Sequence, residues 1–150
     1  NFDVPRGSAK GIARFYREIV GAPAKVKSRD GTSAHVQIGH EQTLIFTETR
    51  RKIVPFDGHH IQIYVADFSG PYDKLLARGL VSEESSQHQY RFEDITDLDT
   101  GEVLFTLDHE MRSLTHPLYA RPLVNRNPDQ TNGQFGAGHE HRSWALPYSG

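Results

Sequence analysis

The chain has 150 residues, 36% of them hydrophobic and 24% charged, with a formal charge of −2 and no cysteine. Without a thiol there is no disulfide framework, cysteine nucleophile or Cys-ligated zinc or iron–sulfur site, so any chemistry must run on His, carboxylates, hydroxyls or an oxygen-loving metal. The near-neutral charge, with no basic run longer than Arg50-Arg51-Lys52, argues against a nucleic-acid partner, and no apolar run approaches the roughly 20 residues that span a bilayer. The start, Asn1-Phe2-Asp3-Val4-Pro5, does not read as a signal peptide, so a soluble, cytoplasmic chain is expected, with no membrane partner.

In chain order, residues 8–20 set Ile12, Phe15, Tyr16 and Ile19 at the spacing of one apolar helix face, with Ser8 as N-cap and Gly21 as the stop. Strands are expected at 22–28, ended by the turn pair Asp30-Gly31, at 33–39 and at 42–49. The second of these alternates Ala34, Val36 and Ile38 against His35 and Gln37; the third alternates Leu44 and Phe46 against Thr43, Ile45 and Thr47. After a polar stretch with Pro55, Asp57 and Gly58, residues 60–65 turn Ile61, Ile63 and Val65 one way and His60, Gln62 and Tyr64 the other. A short helix over 69–78 carries Tyr72, Leu75 and Leu76 and ends at Gly79. Strands then fit 80–84, 88–96 and 102–108, the last entered through the turn Asp97-Leu98-Asp99-Thr100-Gly101.

The two halves match one another. Val4 aligns with Val65, Ser8 with Ser69, Gly21 with Gly79, and Leu44-Ile45-Phe46-Thr47 with Val103-Leu104-Phe105-Thr106. An offset that stays coherent across several elements predicts a duplicated βαβββ unit. Residues 111–150 break the pattern, with Pro117, Pro122, Pro128 and Pro147 among scattered glycines and no strand or helix period. Leu118, Tyr119, Leu123, Val124, Phe135, Trp144, Leu146 and Tyr148 are too many apolar anchors for a solvated tail, so an ordered arm resting on its own sheet or on a partner subunit is expected.

These residues resemble the vicinal oxygen chelate superfamily, the glyoxalase/bleomycin-resistance/extradiol-dioxygenase fold. The likeness lies in the two units, in His60-Ile61-Gln62-Ile63-Tyr64-Val65-Ala66-Asp67-Phe68, in Phe15-Tyr16 followed by Gly21, and in Asp97-Leu98-Asp99-Thr100-Gly101-Glu102-Val103-Leu104-Phe105, over about residues 1–110. It implies an α+β fold in which two tandem βαβββ modules, 1–54 and 55–110, form a curved, cup-shaped mixed sheet with helices on the outside, followed by the irregular arm 111–150. It also implies a divalent metal held by His on the first strand and Glu on the last strand of each module. His60 falls at one such histidine position; the equivalent place in the first module would precede Asn1. The last-strand positions fall on Ile45 and Leu104, which cannot ligate a metal, and only a shifted register would recruit Glu48, Asp108, His109 or Glu110.

Alternation names the rest of the cup. If Ile61, Ile63, Val65, Val103, Phe105 and Leu107 lie under the helices, then His60, Gln62, Tyr64, Leu104, Thr106 and Asp108 line the cup, joined from the first module by His35, Gln37, Thr43, Ile45 and Thr47. For strand 88–96 the parity stays open between Tyr90 with Phe92 and Arg91 with Glu93. His59 and His60 are neighbours on a strand and cannot both face one site. His109-Glu110-x-Arg112 and His116 are candidates for a gate or substrate clamp at the rim, His139-Glu140-His141 for an exposed polar turn, and Arg112, Arg121, Arg126 and Arg142 for an anion clamp or for surface and subunit pairs.

The expected function is a dimeric, glyoxalase-like domain binding a small polar organic molecule. As an enzyme, a lyase, isomerase or dioxygenase, it would use His60 as base or as ligand of a divalent metal (Fe, Zn, Ni or Mn) and Tyr64 beside it as the second catalytic residue. His35, Gln37 and Gln62 would orient the substrate, and Thr47, Thr106 and Asp108 would complete its hydrogen bonding. The alternatives are a non-catalytic, ligand-sequestering protein of the resistance type, favoured by Ile45 and Leu104 at the carboxylate positions, and an assembly module built on the arm.

Overall fold

The computed structural model describes residues 1–29 and 32–119. Strands β1 (Phe2–Pro5), β2 (Ala24–Lys27), β3 (Ser33–Gln37) and β4 (Thr43–Thr49) form one sheet in the order β1-β4-β3-β2. Strands β5 (His60–Val65), β6 (Val81–Ser86), β7 (Gln89–Thr96) and β8 (Val103–Ser113) form a second in the order β5-β8-β7-β6. In both, the first strand runs parallel to the last and the remaining pairs are antiparallel. Helix α1 (Ala9–Phe15) follows β1 and α2 (Ser69–Leu76) follows β5, so each half is a βαβββ unit of one topology, the duplication that the offset predicted. The turn at Asp30-Gly31 and everything expected of residues 120–150 lie outside the described residues.

The period-2 pattern sorts the first sheet as read. Val4, Ala34, Val36 and Phe46 are fully buried beside Ile12, Phe15 and Tyr16. The helix does not end where a plain α-helix would: Tyr16–Val20 forms one π-helical turn, closed by Gly21 at φ 78°, a conformation that costs glycine little. Across this turn Phe15 meets Phe92 of β7 at 5.9 Å and Tyr16 meets Phe46 of β4 at 5.6 Å, so consecutive rings serve the two sheets. Helix α2 covers the second sheet with Leu75 buried and with Phe68 and Tyr72 against Tyr90.

Four local expectations are corrected. Ser8 sits at the N-cap but its hydroxyl donates to the Pro5 carbonyl at 2.6 Å; Glu48 Oε1 takes over and accepts from the Ala9 amide at 3.0 Å, a partner 39 residues away. A carboxylate there also complements the helix dipole. Glu48→Ala is accordingly expected to cost about 1 kcal/mol, measurable as a lower urea midpoint with unchanged slope, whereas Ser8→Ala should cost less. Strand β8 does not stop at 108 but continues to Ser113, because Met111 is still core. Val103 is 54% exposed rather than under a helix. Leu104 leaves the cup and leans on α1, where a Cβ on Gly11 would collide with its Cδ1. The register of β7 against β8 slips between Phe92 and Asp94 and again between Ile95 and Thr96, and each slip lets a strand change which face it offers.

Candidate functional site

The slips decide what β8 brings to the face away from the helices. Its parallel register with β5 sets His60 opposite Asp108, Gln62 opposite Glu110 and Tyr64 opposite Arg112, while β7 sets Arg91 opposite Glu110 and Gln89 opposite Arg112. Leu107, His109 and Met111 are buried beneath the helices, so Asp108, Glu110 and Arg112 share the opposite face by alternation.

These side chains form one lattice. Arg91 donates from one terminal nitrogen to Asp108 Oδ2 and from the other to Glu110 Oε2 at 2.5 Å, and its Nε lies 3.8 Å from Glu83 Oε2. Arg112 pairs with the remaining oxygen of Glu110, donates from Nε to Gln89 Oε1 at 2.9 Å and from Nη1 to the Tyr64 hydroxyl at 3.1 Å, with its guanidinium carbon 5.8 Å from the Tyr64 ring centre. With its carboxamide oxygen turned toward Arg112, Gln62 accepts from that guanidinium as well. Asp108 is only 8% and Glu110 only 3% exposed. Burial works against the Arg91 charge, but Asp108, Glu110 and Glu83 outweigh it and hold the guanidinium above its ordinary pKa. Asp108 Oδ1 is buried with neither a hydrogen bond nor an ion pair among the described residues.

The rim is aromatic. Tyr119 and His116, which follow β8, approach the Tyr64 ring at 5.3 Å and 6.2 Å. Burial, reinforced by Arg112 and His88, lowers the pKa of His116 and favours its neutral ring.

Of the residues the sequence proposed for the site, Gln62, Tyr64 and Asp108 meet in this lattice. Thr106 instead donates to Asp94 Oδ1 at 2.9 Å. His60 is exposed, in register with Asp108. His35, Gln37 and Thr47 keep to the first sheet: His35 Nε2 is 3.0 Å from Ser33 Oγ, Gln37 donates to the Gly39 carbonyl at 3.3 Å, and Thr47 donates to Asn1 Oδ1 at 3.2 Å. Burial and Lys27 lower the pKa of His35. Arg91, Glu110 and Arg112 are the residues that sequence reasoning underrated. The signal for Glu110 and Arg112 is His109-Glu110-x-Arg112, a rim motif by sequence that, with β8 extended, is the middle of the face; Arg91 lies on the strand whose parity the sequence leaves open. Arg121, Arg126, Arg142 and His139-Glu140-His141 lie outside the described residues.

The donor set does not suit the divalent metal that the resemblance implied. Among the described residues no group of three His, Asp or Glu side chains is arranged to hold an ion. Both oxygens of Glu110 and one of Asp108 are committed to guanidinium groups, whose positive charge opposes a divalent cation in the same place. Also among the described residues, no helix is long and apolar enough to cross a membrane.

No protein-family model matches the sequence, and no curated protein matches it. Solved structures do. A candidate glyoxalase family protein from Bacillus anthracis superposes with a TM-score of 0.53 at 17% identity, covering 75% of this chain and 88% of that one. A fosfomycin resistance protein from Listeria monocytogenes gives 0.48 at 12% identity, over 73% and 84%. An antibiotic binding protein from a Streptomyces species gives 0.48 at 18% identity, over 75% and 91%. The likeness is one of fold.

Proposed function

We propose that this chain, which has the vicinal oxygen chelate fold, is a small-molecule binding domain that holds a polar organic ligand against the open face of its second sheet without recruiting a metal there. The observation that carries this reading is the occupation of Asp108 and Glu110 by Arg91 and Arg112. Asp108 Oδ1 offers the ligand an acceptor, the Tyr64 hydroxyl a hydrogen bond, and Tyr64 with Tyr119 an aromatic wall. Such a mixture suits a molecule with one donor group and a flat or apolar body. Sequestration is favoured over a metal-dependent lyase, isomerase or dioxygenase because a metal at Glu110 would have to displace two guanidinium groups from a carboxylate that is already buried.

A panel of small polar organic molecules, screened by melting temperature, tests it. A ligand at about 100 times its Kd should add about 2.7 kcal/mol, a rise of several degrees for a domain of this size, and chelator treatment should leave the rise intact. Tyr64→Phe should reduce it. A stoichiometric Fe, Zn, Ni or Mn ion that is lost in His60→Ala would overturn the reading in favour of metal catalysis. The homodimer belongs to the same proposal; Leu114, Leu118 and Tyr119 are exposed apolar residues that could meet a second copy, and sedimentation of the full chain gives the mass that decides it.

A further inference from the structure

A second concavity lies on the helix side of the second sheet, between α2 and the β6–β7 hairpin, with a volume of about 300 Å³. Its walls are aromatic. Tyr90 is flanked by Phe68 at 5.0 Å and 47° and by Tyr72 at 5.3 Å and 62°, so three rings stand tilted around one space instead of stacking flat. Glu84 also lines the cleft: its Oε1 accepts from the Tyr72 hydroxyl at 2.5 Å, which fixes that ring as a wall. Among the described residues the other oxygen of Glu84 has no hydrogen-bond partner, and none of those lining the cleft is a lysine or arginine. Tyr90 is 2% exposed, and its hydroxyl is buried with no partner among the described residues. A buried hydroxyl without a partner is costly, and native proteins seldom leave one unless something else supplies the bond.

Three tilted rings, one carboxylate, no competing cation and an unpaired hydroxyl specify a ligand chemistry. Ring faces attract a positive charge through their quadrupole, the carboxylate reinforces that attraction, and the hydroxyl calls for a second polar group a short distance along the ligand. The volume, at the lower end of small-molecule sites, limits the ligand to a few heavy atoms. We infer that this cleft binds a small organic ammonium ion bearing a hydroxyl group, with its charge held by Phe68, Tyr72, Tyr90 and Glu84 and its hydroxyl bonded to that of Tyr90. The cleft touches the Arg91–Arg112 lattice only at Gln89, which lines it and accepts from Arg112; the rings and carboxylate that would hold the ligand take no part in that lattice, and the inference does not depend on the function proposed for it.

The test uses the full chain and two probes of equal shape, choline and its uncharged analogue 3,3-dimethylbutan-1-ol, followed by amide NMR shifts. Choline should give saturable shifts confined to the Phe68–Tyr72 and Glu84–Tyr90 stretches, and the neutral analogue should bind about tenfold more weakly. Glu84 is exposed, so Glu84→Gln should fold normally and weaken choline about tenfold while leaving the neutral analogue unchanged. Tyr90→Phe should weaken both probes without lowering the melting temperature. Equal affinity for the two probes, choline binding indifferent to Glu84→Gln, or no saturable choline shift up to about 50 mM would each overturn the proposal.

Discussion

Lowering the pH from 6.5 to 3 is expected to remove about 4 kcal/mol of stability through His109 alone. This ring is fully buried and stacks on Phe92 at 4.1 Å and 11°. The Leu107 carbonyl, 2.5 Å from Nδ1, can only accept, so Nδ1 carries the proton and Nε2 must accept from the Tyr16 hydroxyl, also at 2.5 Å. Burial disfavours the charged ring and, despite the bond to Leu107, brings its pKa down to about 3. Burial likewise pushes the Tyr16 hydroxyl well up, so it stays a donor. Between pH 6.5 and 3 the unfolded chain therefore binds a proton that the folded chain refuses; this contribution is fully present above 6.5 and is lost as the pH falls. The double variant Tyr16→Phe/His109→Phe removes the titrating group together with its partner. Its stability relative to the parent chain, from urea unfolding, should improve by about 3 kcal/mol between pH 7 and pH 4. Parallel pH profiles would show that His109 accepts the proton without unfolding. At neutral pH, His109→Ala should cost about 3–5 kcal/mol, since it opens a cavity against Phe92 and leaves the Tyr16 hydroxyl without its acceptor.

Arg91→Met is expected to destabilise the fold by about 3–5 kcal/mol, the usual result of removing one partner from a buried ion pair. Asp108 would suffer most, because Arg91 is its ion-pair partner among the described residues and its other oxygen is already unpaired; Glu110 would keep Arg112. Adding Asp108→Asn to Arg91→Met should therefore recover about half or more of the loss, and the double-mutant cycle should give a coupling of a few kcal/mol. If the two substitutions add, the lattice is surface decoration, and the proposed site loses its frame. Glu83→Gln, whose carboxylate lies 3.8 Å from Arg91 and is exposed, should change stability by under about 1 kcal/mol and serves as the comparison.

Pattern alone carried the reading a long way. The alternation of Ile61, Ile63 and Val65 against His60, Gln62 and Tyr64 placed β5 at 60–65, and the repeated spacing of Val4, Gly21, Phe46 and their counterparts specified two βαβββ units. Both signals are local: a strand with one buried face must alternate, and a duplicated unit repeats its turns and stops. Glu48 shows where locality ends. A cap drawn from a residue 39 positions away leaves no trace in the residues around Ser8.

The composition of the site belongs to the same divide. That Gln62, Tyr64 and Asp108 would share a face followed from the pleat; that Arg91 would pair with Asp108, and Arg91 and Arg112 with Glu110, did not. The two register slips along β7 and β8 break the period that sequence reasoning relies on and carry Leu104 onto α1, and the continuation of β8 to Ser113 puts Glu110 in the middle of the sheet. A histidine in a strand likewise reads the same whether it faces water or the core, and only the convergence of Tyr16, Phe92 and the Leu107 carbonyl made His109 a buried, neutral link. The sequence determined the strands, the repeat and the fold class because those depend on nearest neighbours. Tertiary structure decided which charges meet and which are left over, because that depends on which strands lie side by side and in what register.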